Sequence, residues 1–252
     1  MAKIALITGA TSGIGEATAH VFARERYNVI LTGRRLDRLE KLAALINKEY
    51  NVEVAISSFD VRDREEVVSN LENLPAAWKK VDVLVNNAGL SMGLDPIQKG
   101  SFDDWDTMID TNVKGLLYVS KVVSNWMIEN GYGHIINLGS IAGKEVYPNG
   151  NVYCATKAAV DSLNKAMRLD LLTYGIKVTA VNPGAAETEF AQVRFKGDKE
   201  RAKKTYDGFQ PLVAEDVAES IWFVASRPAH VNINELTIMA TAQANANHFY
   251  RK

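Results

Sequence analysis

The 252-residue sequence has little of several features that define whole classes of protein. A single cysteine excludes a disulfide framework within the chain and favours a reducing compartment. Lysine and arginine (29) almost cancel aspartate and glutamate (30), whereas dedicated nucleic-acid binders usually carry a basic excess. No apolar run approaches the ~20 residues that span a bilayer, and residues 4–7 are too short for the core of a signal peptide. We therefore expect a cytoplasmic protein with neither a nucleic-acid partner nor a membrane partner.

The histidines also lack the spacing that metal ligands need. The sequence has four of them, His20, His134, His230 and His248. Since they do not pair at short intervals as metal-binding histidines do, each is more simply a structural or exposed residue, and we expect no metal.

Seven short apolar runs, rich in β-branched residues, alternate with amphipathic stretches along the chain. The runs cover residues 4–7, 29–32, 52–57, 81–85, 134–138, 177–181 and 236–239. Because they lack the in/out alternation of a half-solvated strand, they predict strands that are covered on both faces. Two longer helices are predicted at 102–129 and 152–174. The alternation predicts a single α/β domain over residues 1–252, a doubly wound parallel sheet of the Rossmann type with helices on both faces.

Two segments depart from this pattern. Residues 185–209 are charged and interrupted by Gly197 and Gly208, so we interpret them as a substrate lid rather than as a domain boundary. Residues 241–252 form a polar C-terminal tail with Phe249 and Tyr250 near its end. Such a tail is either frayed or docked on a neighbouring subunit, and the sequence leaves both possibilities open.

A glycine-rich turn at residues 8–15 follows the first predicted strand and leads directly into a helical pattern. Glycines permit a tight turn and let backbone N–H groups approach a pyrophosphate, which a helix N-terminus also attracts. The first two glycines are more widely spaced than in the usual dinucleotide fingerprint, and such a turn can be merely structural. Its place at the start of a strand–helix–strand unit favours a dinucleotide site. The expected binding residues are Gly9, Thr11, Ser12, Gly13, Ile14 and Gly15.

Two arginines follow the second predicted strand. A cofactor with a free ribose 2′-hydroxyl is typically held at this point by an acidic side chain, but here the chain has Arg34 and Arg35. Guanidinium groups suit a 2′-phosphate because they form bidentate, charge-assisted hydrogen bonds. The pair predicts NADP(H) rather than NAD(H); the alternative is that both are solvated residues at the start of a helix.

Tyr153 and Lys157 stand four positions apart within a predicted helix and therefore share one face. Ser140 lies just past the predicted strand 134–138, where ligand sites of open α/β sheets gather. A tyrosine–lysine pair at this spacing is often structural on its own. Its combination with a serine at a strand end, downstream of a dinucleotide loop, predicts a catalytic group.

These motifs, in this order, resemble the short-chain dehydrogenase/reductase family, and the likeness covers essentially the whole chain. The resemblance implies a catalytic tetrad of Asn112, Ser140, Tyr153 and Lys157. It also implies cofactor contacts beyond the glycine-rich turn and the arginines, namely Asp60, Val61, Asn87, Ala88, Gly89, Tyr153, Lys157, Pro183, Gly184 and Thr188.

The implied chemistry is hydride exchange between a nicotinamide and a CH–OH group. Tyr153 would exchange a proton with the substrate oxygen, which requires its pKa of ~10 to fall by about 3 units, or roughly 4 kcal/mol. Lys157 and an oxidised nicotinamide would supply the positive charge. Ser140 would hydrogen-bond and orient the substrate oxygen, and Asn112 would hold a water that links Lys157 to solvent.

The substrate is indicated by a resemblance to one branch of the family. Residues 183–198 and 228–234 are similar to NADP-dependent 3-hydroxy acid dehydrogenases, which act on L-serine, L-allo-threonine and 3-hydroxypropionate-type acids; sulfoacetaldehyde reductases share these features. A small anion needs a cation in its pocket, and Arg194 lies in the expected lid. We expect Arg194 to bind the carboxylate or sulfonate, with Ser140 and Tyr153 at the reacting carbon. The alternative is a surface arginine in a charged loop.

Two other functions stay open at this point. A reductase of bulkier carbonyls, such as ketones or 3-oxoacyl thioesters, would be favoured by a basic patch for a carrier protein, and no clear cluster is present. A cofactor-binding regulator without turnover would be indicated by loss of the tyrosine or the lysine, and both are present.

The resemblance further implies a homotetramer in which the helices at 102–129 and 152–174 pair across an interface.

Overall fold

The computed structural model describes residues 2–252 and is organised around one seven-stranded parallel sheet, with the strand order β3-β2-β1-β4-β5-β6-β7. The strands are β1 Ile4–Ile7, β2 Asn28–Gly33, β3 Val54–Ser58, β4 Val83–Asn86, β5 His134–Leu138, β6 Lys177–Pro183 and β7 Glu235–Ile238. Each of the seven apolar runs forms one of these strands. The predicted doubly wound α/β fold is therefore confirmed.

Helices cover both faces of the sheet. They are α1 Gly13–Arg24, α2 Leu36–Tyr50, α3 Arg64–Glu72, α4 Phe102–Ile109, α5 Leu116–Asn130, α6 Asn151–Asp170, α7 Glu189–Arg194, α8 Lys199–Lys204 and α9 Ala214–Ala225. Alternate residues of a strand point to opposite faces, so Ile7 packs with Phe22 of α1 in one apolar layer. Leu6 packs with Met127 of α5 in the other layer. None of these helices is long and apolar enough to cross a membrane.

The helix predicted at 102–129 is interrupted. Between α4 and α5 the backbone makes a π-helical turn over Asp110–Gly115, which contains Asn112. A Cβ at Gly115 would lie 2.8 Å from the Val61 side chain, so only a glycine lets this turn pack against the segment after β3. Such π turns often mark functional positions within helices. Sequence periodicity does not reveal the interruption, since apolar residues continue on both sides of it.

Residues 185–209 contain the two short helices α7 and α8, which the sequence did not predict. Each begins at a capping side chain: Thr188 Oγ1 accepts a hydrogen bond from the Phe190 N–H, and the Asp198 carboxylate accepts one from the Arg201 N–H. Six residues are too few for helical periodicity to emerge from the sequence, which is why this segment appeared unpatterned.

The tail at residues 241–252 is not frayed, and its docking on a neighbouring subunit stays a prediction. It folds onto its own chain, where the Lys252 N–H donates to the Gly208 carbonyl at 2.8 Å. The Phe249 ring packs on Phe209 with the ring centres 5.0 Å apart. Of the two aromatic residues that suggested docking, Phe249 thus packs against the segment after α8, whereas Tyr250 is 69% exposed.

Candidate active site

A cleft with a volume of about 720 Å³ opens at the carboxyl ends of the strands. The strand order reverses between β1 and β4, and the crevice at such a reversal is where open α/β sheets bind ligands. Every residue predicted to bind cofactor or substrate or to act in catalysis lines this cleft, except Gly15 and Asn112. The structure therefore brings together side chains from opposite ends of the sequence.

The glycine-rich turn is shaped for an anion. Gly9 and Gly13 have φ values of +66° and +55°, which side-chain-bearing residues rarely adopt. A Cβ at Gly15 would collide with the Gly9 carbonyl oxygen, so Gly15 acts by letting α1 pack against the turn rather than by lining the cleft. No side chain caps the start of α1 at Ser12. Its first N–H groups thus fit a cofactor pyrophosphate.

Arg35 is fixed toward this turn. Its Nη2 donates to Thr11 Oγ1 at 2.7 Å and to Ser12 Oγ at 2.9 Å. Its Nη1 donates to the carboxylate of Glu189, which also accepts from Arg38 at 2.8 Å. Because Glu189 begins α7, these pairs join the segment after β2 to residues 185–209, the expected lid. Neither Arg38 nor Glu189 was predicted as a site residue, because their contact spans 151 positions of the chain.

Arg34 lies on the other side of the same opening. Its Nη1 is 3.6 Å from the carboxylate of Asp60, which also accepts a 2.7 Å hydrogen bond from Arg62. Asp60 and Val61 line the cleft where the resemblance implies an adenine contact. The Arg34 side chain is 58% exposed, so a cofactor phosphate could reach it from solvent.

Thr8 ties the ends of β1 and β4 together. Its Oγ1 accepts hydrogen bonds from the N–H groups of Asn87 and Ala88, both at 3.0 Å. The Asn87 amide in turn donates to the Thr8 carbonyl at 2.8 Å. These bonds place Asn87, Ala88 and Gly89 along the wall of the cleft. Thr8 itself was not among the predicted site residues.

Ser140, Tyr153 and Lys157 line the inner part of the cleft and are 8%, 8% and 6% exposed. Lys157 Nζ donates to the Leu138 carbonyl at 2.8 Å, and burial lowers its pKa to about 8. Burial raises the pKa of Tyr153, while the charge of Arg194 and a hydrogen bond from Ser140 act in the opposite direction. The environment of the tyrosine is therefore a balance between desolvation and nearby positive charge.

Asn112 does not line the cleft but hydrogen-bonds to Leu90, which does. Its Oδ1 accepts from the Leu90 N–H, and its Nδ2 donates to the Leu90 carbonyl, both at 2.8 Å. Nδ2 also donates to Thr156 Oγ1 at 3.0 Å. Since both amide hydrogens are used, the side chain fixes the backbone of Leu90 beside the cleft. The expected water relay through Asn112 stays a prediction.

Arg194 reaches into the cleft from the end of α7. Its Nε donates to Ser91 Oγ at 3.0 Å and its Nη2 to Tyr147 Oη at 2.6 Å. The guanidinium carbon lies 5.2 Å from the centre of the Tyr153 ring and 5.0 Å from that of Phe190. A solvated surface arginine would not have these contacts. The structure thus places this cation beside the candidate proton-transfer group.

The segment after β6 forms another wall of the cleft. The Thr188 side chain lies over Gly13, where an added Cβ would be 3.2 Å from the Thr188 Cβ. Gln243 of the tail accepts a 2.8 Å hydrogen bond from the Ala185 N–H and lies against Gly184. Pro183, Gly184 and Thr188 all line the cleft. Within residues 2–252, no group of three or more His, Cys, Asp or Glu residues could hold a metal ion.

Comparisons with known proteins agree with this arrangement. Residues 3–199 match the family model described as short chain dehydrogenase. The chain is 47% identical to the NADP-dependent 3-hydroxy acid dehydrogenase YdfG of Escherichia coli K12, over 96% of this chain and 97% of that protein. It is 48% identical to sulfoacetaldehyde reductase 2 of Chromohalobacter salexigens, over 97% and 96% of the two chains. Its fold matches the closed form of serine dehydrogenase complexed with NADP+, with a TM-score of 0.92, 46% identity and 99% coverage of both chains. The resemblance found in the sequence is confirmed, and the chain belongs to the short-chain dehydrogenase family.

Proposed function

We propose that this protein is an NADP(H)-dependent oxidoreductase that interconverts a small 3-hydroxy acid and its oxo acid or semialdehyde. L-serine, L-allo-threonine and 3-hydroxypropionate represent the substrate class. The observation that carries this proposal is the position of Arg194, whose guanidinium lies in the cleft 5.2 Å from the Tyr153 ring. An anion bound there has its neighbouring CH–OH group within reach of the tyrosine.

NADP(H) is supported as the cofactor by two kinds of observation. Similar proteins are described as NADP-dependent, and a similar structure holds NADP+. In this chain, Arg34 and Arg35 flank the cleft where an adenosine ribose fits, with no acidic residue at the end of β2 to accept from a 2′-hydroxyl. When bound, the nicotinamide supplies hydride transfer at its C4.

The residues of the inner cleft have distinct tasks in this mechanism. In the oxidative direction Tyr153 accepts the hydroxyl proton of the substrate, and in the reductive direction it returns a proton to the carbonyl oxygen. Ser140 donates a hydrogen bond to the same oxygen and fixes its position. Lys157, on the same face of α6 as Tyr153, contributes positive charge at neutral pH because its pKa of about 8 leaves it mostly protonated.

Arg194 selects the substrate in this proposal. A carboxylate or sulfonate can accept charge-assisted hydrogen bonds from the guanidinium, which Ser91 and Tyr147 hold in place. The site is partly enclosed, so this ion pair is weakly screened by solvent. A neutral alcohol of the same size forms no such pair and binds more weakly.

A second candidate is the reduction of sulfoacetaldehyde. It is favoured by the 48% identity to a sulfoacetaldehyde reductase and by the same guanidinium, which binds sulfonates as well as carboxylates. Both candidates share the cofactor, the tyrosine and the anion site. They differ in which acidic group fits between Arg194 and the reacting carbon.

An activity panel tests the proposal and separates the two candidates. NADP+ reduction is followed with L-serine, L-allo-threonine, 3-hydroxypropionate, isethionate and a simple secondary alcohol. We expect the highest kcat/KM for one of the carboxylic acids. The highest value for isethionate would assign the enzyme to sulfoacetaldehyde, and the highest value for the secondary alcohol would overturn an acid substrate altogether.

We also propose that four copies of the chain assemble and that the protein works in the cytoplasm. Large apolar side chains lie exposed on the outer helices, including Phe102 of α4, Leu117 of α5 and Leu169 of α6. Apolar residues on a water-exposed helix face commonly mark an interface between subunits. The lone cysteine favours a reducing compartment.

A further inference from the structure

The burial of Tyr153 creates a problem for its proposed task. A phenol that accepts a proton must spend part of each turnover ionised, and desolvation disfavours the charged form. In this structure burial raises the pKa of Tyr153, opposite to the direction that catalysis near neutral pH requires. Positive charge close to the phenol must offset this effect.

Lys157 supplies that charge only over part of the pH range. Its ammonium group is buried and donates to the Leu138 carbonyl at 2.8 Å, and its pKa lies at about 8. Above that pH the group becomes neutral and no longer favours a tyrosinate. A guanidinium, in contrast, keeps its charge throughout the range in which proteins stay folded.

Arg194 is such a guanidinium and is held firmly against the tyrosine. Ser91 and Tyr147 accept hydrogen bonds from it, and its own backbone carbonyl accepts one from the Gly93 N–H at 2.9 Å. Its charge lies over the Tyr153 ring at 5.2 Å and also contacts Phe190. These aromatic and hydroxyl neighbours carry no negative charge that would neutralise it.

We infer that the Arg194 guanidinium stabilises the ionised form of Tyr153 and so activates the proton acceptor, in addition to binding the acidic group of the substrate. This inference rests on the proposed function, in which Tyr153 transfers the proton. Among the influences on Tyr153 that lower its pKa, the charge of Arg194 comes first and the hydrogen bond from Ser140 second.

Other titratable groups around Tyr153 act against ionisation or lose their charge with pH. They are Cys154 and Lys157 of α6, Tyr147 before that helix and Tyr206 after α8. Burial raises the pKa of Cys154, Tyr147 and Tyr206, so these groups stay neutral near pH 7. Arg194 is therefore the permanent cation in this set.

The test separates the charge of Arg194 from its contact with the substrate. Arg194→Gln removes the charge while keeping a side chain that can hydrogen-bond to Ser91 or Tyr147, and Arg194→Lys keeps a charge. Arg201→Gln serves as a matched control, because that arginine lies in the lid over Phe195.

Rates are measured against pH with a neutral alcohol, since a bound acid would partly cancel the charge of Arg194. Tyrosinate absorbance is titrated in the cofactor-free proteins, with Tyr153→Phe identifying the contribution of Tyr153.

For Arg194→Gln we expect the pKa of kcat for the neutral alcohol, and the titration of Tyr153, to rise by about one unit or more. Arg194→Lys should shift both values by less than half of that amount, and Arg201→Gln should shift neither. An unchanged pKa in Arg194→Gln would overturn the inference, even if the KM for acids rises and the anion site stands. Equal shifts in the Lys and Gln variants would overturn it as well. Failure of every acid as a substrate would refute the proposed function but leave this titration decisive.

Discussion

Tyr153, the proposed proton acceptor, illustrates how strongly ionisation depends on the surroundings of one side chain. Its hydroxyl group is buried, which disfavours ionisation, while Arg194 and Ser140 favour it. Ser140 and Lys157 come from the end of β5 and from α6, so the sheet and one helix fix their relative positions. The proposed proton transfer by Tyr153 therefore requires both β5 and α6 to be correctly positioned.

Replacing Tyr153 with phenylalanine should remove the proton acceptor and leave the cleft intact. General acid–base catalysis typically contributes a factor of ~10² to 10⁴, and we expect kcat to fall by at least that much. NADPH affinity, measured by fluorescence titration, should stay within about twofold because the phenol contributes little to the binding of the large cofactor. Tyr118→Phe, outside the cleft, serves as the control. Retained turnover in Tyr153→Phe would refute the assignment.

At the scale of secondary-structure elements, the proposed lid at residues 185–209 packs against the tail. The lid is joined to the phosphate-binding side by Glu189 and to the segment after β4 by the pair of Lys196 and Asp104, 2.9 Å apart. Its far end is held by Arg251, which donates to the carbonyls of Thr205 and Asp207. The tail thus forms part of the wall of the cleft.

Loss of the Arg251 side chain should loosen this end of the lid. A hydrogen bond of this kind contributes about 1 kcal/mol, so we expect the KM of the acid substrate to rise about 3- to 10-fold in Arg251→Ala. Amide hydrogen exchange in residues 199–212 should become faster, while NADPH affinity stays unchanged. Arg64→Ala, at the exposed start of α3, is the matched control. Unaltered exchange and KM would show that the tail does not support the lid.

The strands and the site motifs could be predicted from the sequence because they depend on neighbouring residues. Apolar runs specify buried strands, and the glycine-rich turn and the pair of Tyr153 and Lys157 are local patterns. The contacts of Arg194 are different: its partners Ser91 and Tyr147 lie 103 and 47 positions away in the chain. No local signal marks such partners, and they become visible only when the fold brings them together. The contact of the tail with Gly208 was not predicted for the same reason, since the two segments are distant in the chain.

At the scale of the whole molecule, the near-neutral net charge conceals a strongly polar cleft. Arg34, Arg35, Lys157 and Arg194 all line it, together with the acidic residues Asp60 and Glu189. This distribution suits an anionic cofactor and an anionic substrate. The outer helices, in contrast, have exposed apolar side chains that could contact other subunits.

Light scattering in solution tests the assembly. We expect a mass of four chains, because burial of the exposed apolar residues of α4, α5 and α6 stabilises contacts between copies. Replacing Leu169, which is 74% exposed, with glutamate should shift the protein toward smaller species if α6 lies in an interface. A monomeric mass for the unaltered protein would contradict the proposed tetramer.

The most direct test of the account compares 3-hydroxypropionate with its neutral amide as substrates, using NADP+ and both the unaltered protein and Arg194→Gln. Removing one partner of an enclosed ion pair costs about 2–5 kcal/mol, so the preference for the acid should fall by at least about 30-fold in the variant. Because the two substrates share the same hydroxyl group and the same Tyr153, they differ chiefly in the acidic group that Arg194 is proposed to bind. We predict a clear preference for the acid in the unaltered protein and its collapse in Arg194→Gln. Equal kcat/KM for the two substrates in the unaltered protein, or a preference that survives the substitution, would contradict the account.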